Sequence, residues 1–399
     1  VAALPQHGLG GVRMSRAGLS LDRLGGVIAI LIAAAIILGP FSIYRANRIA
    51  SGDARGIMFA LPSAFAIGLM VLSMAIALVS AFVRALAARL AAAAFGMIAV
   101  FVAMGRSADF LTPAGNSFAR VSPAWGFWLL SFAFALLVAD ALTRLRFGPW
   151  ERLAALAVAA ITLALLLGSG AWNNVSILKE YATRADSFWR EARQHIVLAL
   201  GSLSASVLVG IPLGILCHRI PAIKSAVLQT LNVIQTIPSI ALFGMLMAPL
   251  AYLAATFPLA ATLGIHGIGA APAFVALFLY SLLPVVANTV VGLDQVSPKV
   301  IDAARGMGLS SRQRLQQVEF PLAFPTILTG IRIVLVQNIG LATVAALIGG
   351  GGFGTFVFQG AGQTALDLVL LGAIPTVLLA FAGAVILDAL VDLAKGARA

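Results

Sequence analysis

Residues 294–325 read DQVSPKVIDAARGMGLSSRQRLQQVEFPLAFP, the longest polar passage in the C-terminal half of an otherwise apolar chain. Ser297 followed by Pro298 signals a helix start, because serine can cap free first-turn amides and proline fits a turn where its missing N–H is not required. Gly306 and Gly308 end that helix, with Gly308 read as the left-handed cap. Val300, Ala304 and Met307 fall on one face and Asp302 and Arg305 on another, giving an amphipathic rod too short to be stable alone. Ser310 and Gln313 stand at capping-box spacing and open a second short helix, on which Leu315 and Val318 share a side. Pro321 and Pro325 are expected to close it and steer the chain back into apolar sequence. These signals suit a well-ended loop and a docking element equally.

The surroundings are those of a membrane protein. The chain is 61% hydrophobic and only 10% charged, where soluble domains carry about 25% charged residues, and the mean hydropathy is +1.03. At about 20 helical residues per crossing, about ten stretches qualify as spans: 24–43, 57–82, 86–104, 124–142, 153–172, 195–217, 222–248, 270–293, 326–348 and 366–392. The expected fold class is therefore all-α and polytopic. It comprises a tail over 1–23, a membrane region over 24–172 of about five helices, a polar linker over 173–194, and a second membrane region over 195–393 that contains the 294–325 passage. Tyr181, Phe188 and Trp189 suit the linker to a helix lying at the outer interface.

Lys and Arg exceed Asp and Glu by 26 to 14, but they sit in short gaps between apolar runs rather than on one face, which argues against nucleic acid. Placed by the positive-inside rule, most of them, from Arg13, Arg16, Arg84 and Arg89 through Arg144, Arg219 and Lys224 to Lys395, fall on the cytoplasmic side together with both termini. The chain opens on Val1 and a more ordinary start begins at Met14, so residues 1–13 read as an upstream extension. The first apolar run is too long for the core of a cleavable signal peptide.

Several chemistries are excluded or disfavoured. A single cysteine, Cys217, permits no disulfide framework and reads as a small buried hydrophobe. His7, His195, His218 and His266 lack metal-ligand spacing and read as interfacial or loop residues. A phosphate-binding loop ends in Gly-Lys-Ser/Thr, and none of Lys179, Lys224, Lys299 and Lys395 follows a glycine. Gly349–Gly354 formally fits G-x-G-x-x-G but follows a membrane helix rather than a strand, so it reads as a flexible outer turn near the mouth of a path. Asp140, Asp367, Asp388 and Asp392 lie toward span ends, which weakens an ion-coupled transporter or channel, since those hold ion ligands near the midplane.

Asp302-Ala303-Ala304, then three residues, Gly308, nine residues, Val318, one residue and Phe320-Pro321 resembles the EAA loop of ABC-importer permeases, E-A-A-x3-G-x9-I-x-L-P, at full spacing. Asp302 replaces Glu, Val318 replaces Ile and Phe320 replaces Leu. The stretches HIVLALGSLSASVLVGIPLGILCHR, LNVIQTIPSIALFG, YSLLPVVANTVVGLDQVSPKVIDAARGMG and NIGLATVAALIGGGGFGTFVFQG, in that order, are similar to permeases for osmoprotectants such as glycine betaine, choline and carnitine. The family tends to show GAGGLG where residues 349–354 read GGGGFG, and many relatives carry Arg where Ala287 stands.

The resemblance implies a type I ABC-importer permease core made by the C-terminal five helices, in a bacterial plasma membrane. It implies two partner ATP-binding cassette subunits that hold ATP and Mg, a second permease subunit (identical or related), and an external substrate-binding protein. This chain itself would carry no cofactor and no catalytic residue. The loop would be the coupling helix that docks on an ATPase, with Asp302, Ala303, Ala304, Arg305, Gly308 and Pro321 as its coupling residues. Gln235, Thr236, Pro238 and Ser239, with Asn288 and Asn338, are polar or helix-breaking residues inside spans; such residues serve either as packing glue or as path lining. Thr289, Gln337 and Thr343 stand under the same two readings. Gly349, Gly351, Gly352 and Gly354 would form an external gate or turn. An ABC permease for another small solute such as an amino acid, an ion-coupled transporter or channel, and a membrane scaffold or sensor dominated by the N-terminal spans are the rival readings.

Overall fold

The computed structural model describes residues 22–396 except 49, 114 and 117. The reading of residues 1–13 as an extension, and the placements of Arg13 and Arg16, lie outside the described residues. The chain divides into two compact units: one takes in residues up to 119 together with Pro123–Arg146, the other Arg120–Ser122 with everything from Phe147 onward.

The first unit contains α1 (Arg23–Ile37), a small antiparallel hairpin of β1 (Ser42–Arg45) and β2 (Asp53–Arg55), α2 (Ile57–Ala60), α3 (Ser63–Phe82) and α4 (Leu86–Leu111). A short strand β3 (Arg120–Pro123) crosses the division, and α5 (Trp125–Leu145) completes the unit. Asp22 caps α1 by accepting from the Gly25 amide at 3.0 Å. That amide, then Arg144 and Arg89, hold the Asp22 carboxyl far below the usual carboxylate range. Arg89 lies buried in the first turn of α4, 3.0 Å from Asp22 and 3.2 Å from Asp140. Arg144 closes the set against Asp22 and Asp140, each at 2.7 Å. Two acids and two bases thus neutralise one another, as a buried guanidinium requires.

The second unit begins with α6 (Pro149–Gly168) and α7 (Ser176–Thr183), followed by α8 (Ala185–Arg219), α9 (Pro221–Thr236), α10 (Ser239–Thr256), α11 (Pro258–Thr262) and α12 (Ala270–Asp294). Next come α13 (Pro298–Gly306), α14 (Ser311–Arg314), a π-helical turn over Leu315–Glu319, α15 (Phe320–Val344), a 3-10 turn over Ala345–Ile348, α16 (Gly354–Gly362) and α17 (Leu366–Gly396). Helices α8, α12 and α15 share a core of Leu198, Ala199, Ala273, Leu277, Ile339 and Ala342. Cys217 is fully buried beside Leu231 and Val286, the small apolar role expected of it. No residue of α6 is buried; its Val158, Ile161 and Leu165 face outward, as on a helix bathed in lipid.

Nine described helices are long and apolar enough to cross a membrane, one fewer than the expected ten. The first run yields only the 15-residue α1, because Gly39-Pro40 follows its cap and proline cannot extend a helix. The run over 222–248 is not one span: it breaks at Ile237-Pro238 into α9 and α10. The linker over 173–194 is also divided. Its first part forms α7, the chain turns at Arg184 (φ −136°, ψ 21°), and the rest is the start of α8, a single 35-residue rod. The compact division after Arg146 precedes α6, whereas the composition change lies after Trp172; α6 packs on α17, tied by Arg152 and Asp392 at 2.9 Å.

Candidate coupling loop and translocation path

Leaving α12 at Asp294, the chain forms α13 as a short helix whose end is fixed by its own backbone. The Leu309 amide reaches back to the Ala304 carbonyl at 3.2 Å and the Gly308 amide to the Arg305 carbonyl at 2.9 Å. This 6→1 and 5→2 pair is a Schellman ending, and it needs the left-handed backbone that Gly308 supplies at φ +80°. Ala304 is buried under the turn, while Ala303, Met307 and Gly308 are exposed. Asp302 and Arg305 face each other at 3.5 Å on the open side.

The start of α13 differs from expectation in one respect. Ser297 occupies the cap position, but its hydroxyl makes no capping bond; its carbonyl accepts from Val300 and Ile301 instead. The second cap forms as expected, with the Gln313 amide donating to Ser310 Oγ and the Ser310 amide donating to Gln313 Oε1. Pro321 and Pro325, expected to end the helix, do not. The π-helical turn lets the Phe320 amide reach Leu315 O, five residues back. Because Pro321 has no N–H and its ring would crowd a regular turn, this widened turn admits Pro321, and the helix then continues through Pro325.

The break between α9 and α10 lies against α12. The Gln235 side-chain amide donates to the Tyr280 carbonyl at 2.7 Å, the very carbonyl that Pro284, four residues on, leaves without a helical donor. In return the Tyr280 hydroxyl donates to the Ile237 carbonyl, freed by the break. Thr236 bonds back to Val233 of its own helix at 2.7 Å and is exposed, as is Pro238, while Ser239 is half-buried. Tyr280 escaped the sequence reading because an aromatic in an apolar run carries no polar signal of its own.

Asn338 is fully buried. Its side-chain amide donates to Ser202 Oγ at 2.9 Å and its Oδ1 accepts from Ser281 at 3.0 Å, so it joins α15 to α8 and α12. Asn288 donates to the Pro284 carbonyl at 2.8 Å and packs on Gly330. Gln235 and Asn338 thus bond to neighbouring helices, whereas Thr236 and Pro238 are exposed.

The glycine turn is hydrogen-bonded to the start of α8. Gly349, Gly351 and Gly352 have φ of +75°, +74° and +87°. Glu191 accepts the Gly352 amide at 2.7 Å and the Thr355 hydroxyl at 3.3 Å, and Gln194 donates to the Gly350 carbonyl at 3.1 Å. His195 is fully buried beneath the turn against Phe353, ring centroids 4.9 Å apart, and is not the interfacial residue expected. The Ile339 carbonyl faces its ring, but neither ring nitrogen makes a hydrogen bond of normal geometry. A groove of about 380 Å³ opens beside this end of α8, lined by Gln194, Leu198, Leu263 and Phe274. Gly354 sits where an added Cβ would meet Thr343 O at 1.8 Å.

Asp388 pairs with Arg332 at 2.5 Å toward the C-terminal end of α17, making a neutral tie between helices. Among the described residues no cluster of His, Cys, Asp and Glu could hold a metal ion.

A family model described as binding-protein-dependent transport system inner membrane component matches residues 210–395, and one described as ABC transporter permease YehY, N-terminal domain, matches residues 22–178. The chain is 41% identical over 187 residues to the osmoprotectant import permease protein OsmW of Salmonella typhimurium, covering 47% of this chain and 82% of that one. It is 40% identical over 224 residues to the osmoprotectant import permease protein OsmY of the same organism, covering 55% and 86%. It is 36% identical over 187 residues to the carnitine transport permease protein OpuCB of Listeria monocytogenes, covering 47% and 78%.

Proposed function

Because this chain belongs to the osmoprotectant-importer family of ABC permeases, we propose that it forms the membrane path for a small quaternary-ammonium osmolyte such as glycine betaine or choline. It is a non-catalytic, multi-pass membrane subunit, and ATP is hydrolysed by a separate subunit. The observation that carries the reading is α13: a short, Schellman-closed helix at EAA-loop spacing, with Asp302, Ala303 and Met307 exposed at its surface.

In this reading the loop end of the helices and both termini face the cytoplasm, and residues 195–393 form the permease core. Asp302, Ala303, Ala304, Arg305 and Gly308 shape the surface that docks on the ATPase, and Pro321 begins the rod that carries its movement into the bilayer. Ala303 permits close approach, while Gly308 fixes the direction in which α13 projects. A second permease subunit completes the path, which runs beside the Thr236, Pro238 and Ser239 break and is held by Gln235, Asn288 and Asn338. Gly349, Gly351, Gly352 and Gly354 border its outer mouth, where a loaded binding protein delivers the osmolyte. Selection rests chiefly on that binding protein, since aromatic faces attract a quaternary ammonium by cation–π forces.

The test is ATP-dependent uptake into liposomes holding the whole complex, with betaine, choline and an amino acid in competition. Uptake of betaine or choline is expected; transport of the amino acid alone would overturn the cargo assignment.

A further inference from the structure

Both roots of the coupling loop are fastened to one corner of the fold. Asp294 ends α12 where the loop begins, and Glu319 ends the π-helical turn where the loop returns. The two carboxylates converge on the junction of α8 and α9. His218 Nδ1 lies 2.7 Å from Asp294 Oδ1, Lys224 Nζ lies 2.7 Å from Asp294 Oδ2, and Arg219 Nη2 donates to Glu319 Oε2 at 2.8 Å. His218 Nε2 stands 4.0 Å from the same Glu319 oxygen, so the ring lies between the two acids. Glu319 is only 2% exposed, and a carboxylate so placed is costly without its cation.

The corner is stiff. Only Ile220 separates α8 from α9, and Pro221 opens the second helix. From there α9 runs 16 residues, about 24 Å at helical rise, to the break at Ile237-Pro238 where Tyr280 and Gln235 exchange bonds with α12. The loop root itself is solid, with Leu293, Ala323 and Ile327 packed together against Ile211 and Ile215 of α8. A displacement of α13 therefore has a direct lever to the interrupted helix.

We infer that His218, Arg219 and Lys224 are positioning residues for coupling. They clamp both roots of the loop to the α8–α9 corner, so that movement imposed by the ATPase reaches the α9–α10 break. This rests on the importer reading above, and it assigns a transmission role to three residues outside the EAA pattern.

The test uses the whole complex in liposomes and reads ATP hydrolysed, betaine taken up, and ATPase retained on purification. Lys224 and Asp294 are about two-fifths exposed, so Lys224→Met and Asp294→Asn are compatible with folding and carry the test even where Glu319→Gln does not accumulate. Both are expected to retain the ATPase and hydrolyse ATP, while uptake per ATP falls about tenfold. Lys224→Arg is expected to keep the wild-type ratio, a rescue that loss of packing alone would not give. An unchanged ratio in Lys224→Met and Asp294→Asn, or an equal fall in Lys224→Arg and Lys224→Met, would overturn the clamp. A wild-type complex that captures no ATPase and takes up nothing defeats the importer reading instead.

Discussion

The side-chain amide of Gln235 occupies the hydrogen-bonding place at the Tyr280 carbonyl that Pro284 cannot fill, at 2.7 Å, and Tyr280 answers with its hydroxyl on the Ile237 carbonyl. The break between α9 and α10 and the proline within α12 thus satisfy each other's stranded carbonyls. In hydrocarbon, where no water can substitute, interrupted helices persist only with such partners. The break between α9 and α10 is therefore a built joint.

Removing either partner strands a carbonyl. Gln235→Leu and Tyr280→Phe are each expected to lower stability by about 1–2 kcal/mol, read by thermal unfolding of the detergent-purified protein. Thr236→Val should change it by no more than about 0.5 kcal/mol, since Thr236 bonds only within its own exposed turn. A Gln235→Leu protein that melts with wild type would show that the bond holds nothing.

Gly308 supplies a conformation, not space. Its φ is +80° and an added Cβ would meet nothing within 4 Å. Alanine there pays about 1–2 kcal/mol for the left-handed backbone, which converts to a weakening of ATPase capture of about five- to thirtyfold. Gly308→Asn should fall between wild type and alanine, because asparagine tolerates this region better. Gly308→Trp should abolish capture or uncouple hydrolysis from uptake. Pull-down of the co-expressed ATPase ranks the series, and wild-type capture by the alanine variant would detach loop shape from docking.

Hydropathy located the membrane segments because a crossing helix must be apolar along its length, and the ends of α13 and α14 were legible because Gly308, Ser310 and Gln313 act within a turn of their own positions. What escaped was set at a distance or by backbone adjustment. The run over 222–248 passes for one span only when averaged, for its α9 half carries Lys224, Gln229, Asn232 and Gln235 while the stretch after Pro238 is almost wholly apolar. The π-helical turn that admits Pro321 depends on how a whole rod is held. The glycine turn reads as mobile because glycine permits motion, and the bonds it makes to Glu191 and Gln194 come from residues far away in sequence. Tyr280 and His195 are buried polar groups whose roles exist only once helices meet.

Asn338 joins three helices, and its neighbours are forgiving. Ser202 and Ser281 also bond back to Leu198 O and Leu277 O, each at 2.6 Å. Asn338→Ala should therefore cost only about 1–2 kcal/mol. Asn338→Asp places a charge in the same fully buried position and should cost at least about 2.5 kcal/mol more, enough to deplete folded protein. The yield of monodisperse protein and its unfolding temperature separate the two, and equal behaviour would refute a dry, neutral node.

The glycine turn offers the last test, because one carboxylate takes two of its donors. Glu191 accepts from the Gly352 amide and from Thr355, and a hydrogen bond to a charged group contributes about 1.5–3 kcal/mol. Glu191→Ala should then speed hydrogen exchange of the Gly352 amide by about ten- to a hundredfold, since exchange follows local opening. Glu191→Gln keeps an acceptor without the charge and should lie between. Gly352→Ala should loosen the turn independently, for its φ is +87° and the new Cβ would stand 3.0 Å from His195 Nδ1. Exchange that is already fast in the wild type, and no faster in Glu191→Ala, would return the turn to the mobile loop that its composition suggests.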